Sequence, residues 1–149
     1  MRTNSETDLA GHLRITIARA ARRLRQEAGT ELSPSLTAAL ATVERHGPLT
    51  PSELAARERI QRPTATRVLA RLEEEGLVAR TPDPQDRRSS LVSATPAAHD
   101  LLADLRTRKT LFLARRLEHL SPDERATLDS AATILERMLE IDGPDAPRR

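Results

Sequence analysis

The stretch Arg62-Pro63-Thr64-Ala65-Thr66-Arg67-Val68-Leu69-Ala70-Arg71-Leu72-Glu73-Glu74-Glu75-Gly76-Leu77-Val78-Ala79-Arg80 decides how this chain is read. Ala65, Val68, Leu69 and Leu72 recur at i, i+3, i+4 and i+7, which predicts a helix over 63–75 with Gly76 as its stop. Thr66, Arg67, Ala70 and Arg71 then point away from the core, and Arg62, Pro63 and Thr64 sit at the exposed N-terminus. Leu77–Arg80 reads as a short strand, and Ser90-Leu91-Val92-Ser93-Ala94 as a second. The charged, turn-rich Pro82-Asp83-Pro84-Gln85-Asp86-Arg87-Arg88-Ser89 between them predicts a long hairpin loop.

Working outward, proline marks the helix starts. Ser33-Pro34, Thr50-Pro51, Thr95-Pro96 and Ser121-Pro122 each place a capping side chain before a proline at the first helical position. Thr50-Pro51-Ser52-Glu53 and Ser121-Pro122-Asp123-Glu124 are full capping boxes. Neither Gln61 nor Arg62 is a good cap. Helices are expected at 34–46, around Leu36, Leu40 and Val43, and at 51–58, around Leu54 and Ala55. Longer ones are expected at 8–28, 96–119 and 122–141, with the tail Asp142–Arg149 frayed. The first carries the stripe Leu9, Leu13, Ile17, Ala20, Leu24 and Ala28. The second is expected to bury Leu101, Leu102, Leu105, Phe112 and Leu117. The third is expected to bury Leu128, Ala131, Ala132, Leu135, Met138 and Leu139. The fold class is mainly α with a small β-hairpin wing: a winged helix-turn-helix lobe at 34–94 between long flanking helices at 8–28 and 96–141, in one domain over 1–149.

Composition removes several classes. The 149 residues hold no Cys, which excludes disulfides, Cys-based zinc sites and thiol chemistry. One aromatic residue, Phe112, cannot build a base-stacking platform for single strands. No metal is expected, because His12, His46, His99 and His119 lack ligand spacing, and no cofactor motif is present. Absence of a long apolar run or a signal-like N-terminus implies a cytoplasmic chain with no membrane partner. No nucleophile–base pair or phosphate loop points to an enzyme. The net charge is +2 while the pI is near 10.2, because 23 of the 24 cations are Arg and Tyr and Cys are absent. Position is more telling than the total. Residues 117–149 hold four arginines and eight acids, a balance of −4 that leaves +6 on residues 1–116.

A helix of this kind, second in a helix-turn-helix, enters the major groove of double-stranded DNA. Arg67 can donate two parallel bonds to guanine, and Thr64 and Thr66 can bond a base edge or meet a thymine methyl. Arg62, Pro63, Thr64, Thr66 and Arg67 are therefore the candidate major-groove residues, and Thr50 and Ser52 the candidate backbone contacts. Glu73-Glu74-Glu75 would repel phosphates, so only the first two turns should approach DNA, and an Arg71–Glu75 pair should keep Arg71 off it. Asp86, Arg87 and Arg88 are the candidate wing residues. An arginine at a loop tip suits the narrow minor groove, and Asp86 is expected to hold the guanidinium fork of Arg88.

Residues 36–98 resemble the DNA-binding lobe of the MarR family of bacterial transcriptional regulators. The matching residues run Leu49-Thr50-Pro51-Ser52-Glu53-Leu54-Ala55, then Arg62 through Leu69 and Arg71 through Arg80. They end with Asp86-Arg87-Arg88 and Ala94-Thr95-Pro96. Two departures are Ala94 where Leu is usual and Ala98 where Gly is common. The resemblance implies a homodimer reading a pseudo-palindromic operator as a repressor, with Arg88 in the minor groove braced by Asp86. It also implies dimerisation through the flanking helices, where Leu9, Leu13, Ile17, Leu128, Leu135, Met138 and Leu139 are the candidates. The arginines of helix 8–28 have two readings, flanking DNA or pairing with the acidic C-terminal part across the dimer, and the charge count favours the second. A small-molecule effector is left unidentified, with an aliphatic pocket between helices 8–28 and 96–119 as its place. The alternative reading is a winged-helix protein–protein module without DNA binding, suggested by the low net charge and the three consecutive glutamates.

Overall fold

The computed structural model describes residues 2–140, with side chains from Ser5 onward. Its elements are α1 (Arg2–Ala28), α2 (Pro34–His46), α3 (Pro51–Glu58), α4 (Arg62–Glu74), β1 (Val78–Pro82), β2 (Ser90–Ala94), α5 (Pro96–Leu117) and α6 (Pro122–Glu140). They fall into two compact units, the first ending at Thr110 and the second beginning at Leu111. The end of the last helix at residue 141 and the tail 142–149 lie outside the described residues.

The caps form as the sequence dictates. Thr50 Oγ1 accepts from Glu53 N–H at 3.2 Å, while the Glu53 carboxylate accepts from Thr50 N–H at 2.7 Å. Ser121 and Glu124 repeat this reciprocal pair at 3.2 and 2.8 Å. Leu36 N–H donates to Ser33 Oγ at 3.3 Å, and Ala98 N–H to Thr95 Oγ1 at 3.3 Å. Gln61, before α4, makes no side-chain cap. Helix α1 begins at Arg2 rather than residue 8, since no Pro or Gly interrupts residues 2–7.

The core of the first unit closes around the helix-turn-helix. Leu40, Val43, Leu49, Leu54, Leu69, Leu72 and Val92 are fully buried, joined by Ala28 of α1 and by Ala98, Leu102 and Leu105 of α5. Burying each such leucine stabilises the fold by roughly 2 kcal/mol. Strand β1 pairs antiparallel with β2, Val78 opposite Ala94 and Pro82 opposite Ser90. It runs two residues further than the sequence pattern predicts, because β1 keeps a free edge where the missing N–H of Pro82 does no harm. A bridge between Leu49 and Val92 ties the segment before α3 to the wing.

In the second unit the expected burial is corrected. Helix α6 has no buried residue: Leu128 is 49% exposed, Met138 52% and Leu139 77%, with Leu135 and Ala131 half-buried and Ala132 exposed. In α5, Leu101 and Phe112 are half-buried, and Leu117 is exposed. Leu101 packs against the core of the first unit, whereas the stripe of α6 has the right period but no buried residue.

Candidate nucleic-acid interface

Helix α4 is held by its inner face, with Ala65, Leu69 and Leu72 buried and Val68 half-buried. That packing fixes which residues point outward. Arg62, Pro63, Thr66 and Arg67 are exposed, and Thr64 is half-buried. Thr66 Oγ1 donates to the Arg62 carbonyl at 3.0 Å, which leaves its methyl and the two oxygen lone pairs for an outside group. Ser52 is exposed, while Thr50 is half-buried with its hydroxyl engaged in the cap.

Two hydrogen-bonded turns end the helices of this lobe. At the end of α4, Gly76 adopts φ +71°, and its N–H reaches the Glu73 carbonyl while Leu77 N–H reaches that of Leu72, both at 2.9 Å. At the end of α3 the same pattern is built on Arg59 at φ +53°, with Ile60 N–H donating to the Ala55 carbonyl at 3.0 Å. This left-handed arginine carries no signal in the sequence, since glycine is the usual mark of such a turn.

The acidic end of α4 is covered by partners. Arg71 pairs with Glu75 at 2.7 Å, as expected, and also with Glu74 at 3.2 Å. Glu73 pairs with Arg80 of β1 at 2.8 Å, a contact that sequence reasoning missed because Arg80 is seven residues away and on a strand. By contrast, Arg62, Arg67, Arg87 and Arg88 are exposed and have no carboxylate partner among the described residues.

The wing loop is ordered by its two aspartates. Asp83 Oδ1 accepts from Gln85 N–H at 2.9 Å, and Asp86 Oδ1 accepts from Arg88 N–H at 3.0 Å. Asp86 therefore holds the backbone of Arg88 and not its guanidinium, which corrects the expected fork. Aspartate in a tight turn reaches the amide two residues on more easily than a long side chain folding back. Thr95 Oγ1 donates to the Gly76 carbonyl at 2.8 Å, joining the far end of β2 to the end of α4. No buried side chain among the described residues is polar or charged, so the polar groups of this lobe all lie at its surface.

A helix-turn-helix followed by a two-stranded wing, with unpaired arginines on both, is the architecture of winged-helix DNA-binding regulators. A profile of the MarR family matches residues 32–90. An HTH-type transcriptional regulator of Mycobacterium tuberculosis is 38% identical over 133 residues, 89% of this chain and 93% of that one. A crystal structure of a transcriptional regulator from Pseudomonas aeruginosa superposes with a TM-score of 0.84 at 34% identity, covering 92% of this chain and 97% of that one. A Staphylococcus aureus MepR variant bound to an oligodeoxyribonucleotide shares the fold, with a TM-score of 0.68 at 19% identity over 88% and 97% of the two chains. The chain belongs to the MarR family of transcriptional regulators, winged-helix proteins that bind double-stranded DNA and are not enzymes. Among the described residues no helix is long and apolar enough to cross a membrane.

Proposed function

We propose that the chain acts in the cytoplasm as a homodimeric repressor, occupying a pseudo-palindromic operator through two copies of one lobe. The N-terminal turns of α4 enter the major groove, where Arg67 reads base edges with Arg62, Pro63, Thr64 and Thr66 around it. The loop 82–89 reaches the minor groove through Arg87 and Arg88, oriented by the turn at Asp86. Ser52 and Thr50 lie against the backbone. One observation carries this reading: Arg62, Arg67, Arg87 and Arg88 are exposed and unpaired, while the neighbouring Arg71 and Arg80 are spent on glutamates. The same pairing answers one of the two motives for a protein-binding module, the acidic run, since each of Glu73, Glu74 and Glu75 has a cationic partner. Dimerisation runs through the apolar stripes of α1 and α6, with Arg14 and Arg19 of α1 facing acids of the partner, while Arg23 pairs with Glu27 of its own helix at 2.7 Å.

Selection of bound sequences from random duplex DNA tests this directly. The expected product is a palindrome with half-sites about one helical turn apart, and recovery of no sequence preference overturns the assignment. An open groove of about 1020 Å³ between α1, α2 and α5 of the first unit is lined by Leu24, Ala28, Leu32, Ala41 and Leu105, with Arg22, Arg25 and Lys109 beside them. It is suited to an effector with an aliphatic body and an anionic group. A thermal-shift series of straight-chain carboxylates checks that, stabilisation growing with chain length being the expected result.

A further inference from the structure

Arg80, Glu73 and Ser90 join the recognition helix to both strands of the wing. Arg80 Nε donates to Glu73 Oε2 at 2.8 Å, and its Nη1 to Ser90 Oγ at 3.4 Å. Three elements meet at one guanidinium: α4 through Glu73, β1 through Arg80 itself and β2 through Ser90. Arg80 is also more sheltered than Arg71, with 27% of its side chain exposed against 58%.

The place of this contact along the hairpin matters. The other hydrogen bonds from α4 and the turn after it reach only the base of the wing, through Leu77 N–H to the Leu72 carbonyl and the Thr95 hydroxyl to the Gly76 carbonyl. Ser90 stands opposite Pro82, the last pair before the loop, so the Arg80 contact lies farther out toward Arg87 and Arg88. A two-stranded ribbon twists easily and is marginally stable alone. The Leu49 bridge holds β2 at Val92, opposite Arg80, to the segment before α3, and between Val92 and the loop the hydrogen bonds of Arg80 to Ser90 and Glu73 are what set the direction of the ribbon against α4.

We propose that Arg80 is a positioning residue that fixes the direction of the wing against α4, so that one lobe meets the major and minor grooves together. This rests on the reading of α4 and the wing as the DNA-contacting elements. In this role Glu73 is the anchor of the tie. Its negative charge holds the guanidinium, and a wing already aimed loses less freedom on binding.

The test measures affinity for a selected palindromic duplex, together with thermal unfolding, for Arg80→Ala, Glu73→Gln, Arg88→Ala and the double variant Arg80→Ala with Arg88→Ala. Arg80→Ala is expected to weaken binding about ten-fold. The double variant is expected to bind about as weakly as Arg88→Ala alone, because a misdirected wing has no minor-groove contact left to lose. Glu73→Gln discriminates most sharply. Simple electrostatics predicts tighter binding once an anion near DNA is removed, whereas loss of the tie predicts weaker binding at unchanged thermal stability. Tighter or unchanged binding by Glu73→Gln, or full additivity of the Arg80 and Arg88 losses, overturns the proposal. If Arg88→Ala itself binds as well as the parent, the wing reading fails and the positioning role fails with it. A loss confined to Arg88→Ala leaves that reading intact and removes Arg80 alone.

Discussion

Arg59 closes α3 with φ +53°, a conformation in which the side chain of an L-residue crowds its own carbonyl. The turn needs it, because only this kink lets Ile60 N–H return to Ala55 and bring Arg62 to the start of α4. Glycine occupies such a position with no penalty, so Arg59→Gly should stabilise the fold by up to about 1 kcal/mol. The check is thermal unfolding, where a lower midpoint would contradict the strain. Arg67 presents the opposite case, an exposed side chain with no internal role. Arg67→Ala should leave the unfolding midpoint within error while costing about 1–3 kcal/mol of operator binding and relaxing base preference at one position per half-site. Affinity measured on the operator and on single-base variants separates that loss from a phosphate contact, which would weaken every sequence alike.

At the scale of elements, α2 is tied to α5 by a charged cluster: Glu44 accepts from the guanidinium of Arg106, and its Oε1 lies 3.2 Å from His99 Nδ1. The Arg106 hydrogen bond holds the Glu44 carboxyl below its ordinary value of 4.5, partial burial pushes the other way, and His99 adds to the lowering. A carboxyl lowered in the folded state stabilises it above the unfolded value and loses that contribution as pH falls through the folded one. Stability should therefore decline as the medium is acidified below about pH 4.5. Glu44→Gln should flatten that part of the curve, read as midpoint against pH; an unchanged acid slope would assign the loss to other carboxylates. Elements like these were largely legible in the sequence. Ser33, Thr50, Thr95 and Ser121 before their prolines announce helix starts by local chemistry, and the period of Ala65, Val68, Leu69 and Leu72 announces the inner face of α4. What stayed hidden depends on distant or unusual geometry. The Glu73–Arg80 tie crosses from helix to strand, Asp86 had two partners within reach, and Arg59 lacks the glycine that marks its turn.

For the whole molecule, the decisive fact is where apolar surface is left uncovered. Leu9, Ile15, Ile17, Leu111, Leu113, Leu117, Leu128, Ile134, Met138 and Leu139 are the exposed large apolar side chains among the described residues, and all lie on α1, the end of α5 or α6. The helix-turn-helix lobe exposes none of that kind, so its chemistry faces water and phosphate while the flanking helices keep theirs for another protein surface. A 19-residue helix with no buried residue has little tertiary packing to hold it in a single chain. In the proposed homodimer a second copy supplies that surface, and a stable interface of this type buries on the order of 800 Å² per partner. Sequence periodicity could find these stripes but could not say whether intra-chain or inter-chain contact covers them, because both produce the same pattern. Replacing Met138 or Leu128 by Asp puts a charge into that face and should shift the protein from dimer to monomer, as read by sedimentation. Thr50 and Glu53 capping and the lobe's core are untouched by either change, so the monomer should keep a folded helix-turn-helix. Its operator affinity should nonetheless fall by far more than the loss of one contact. Two linked half-sites multiply their binding through a high effective concentration, and a monomer forfeits that factor. A variant that stays dimeric, or a monomer that binds the full operator as tightly as the parent, would place the working interface elsewhere.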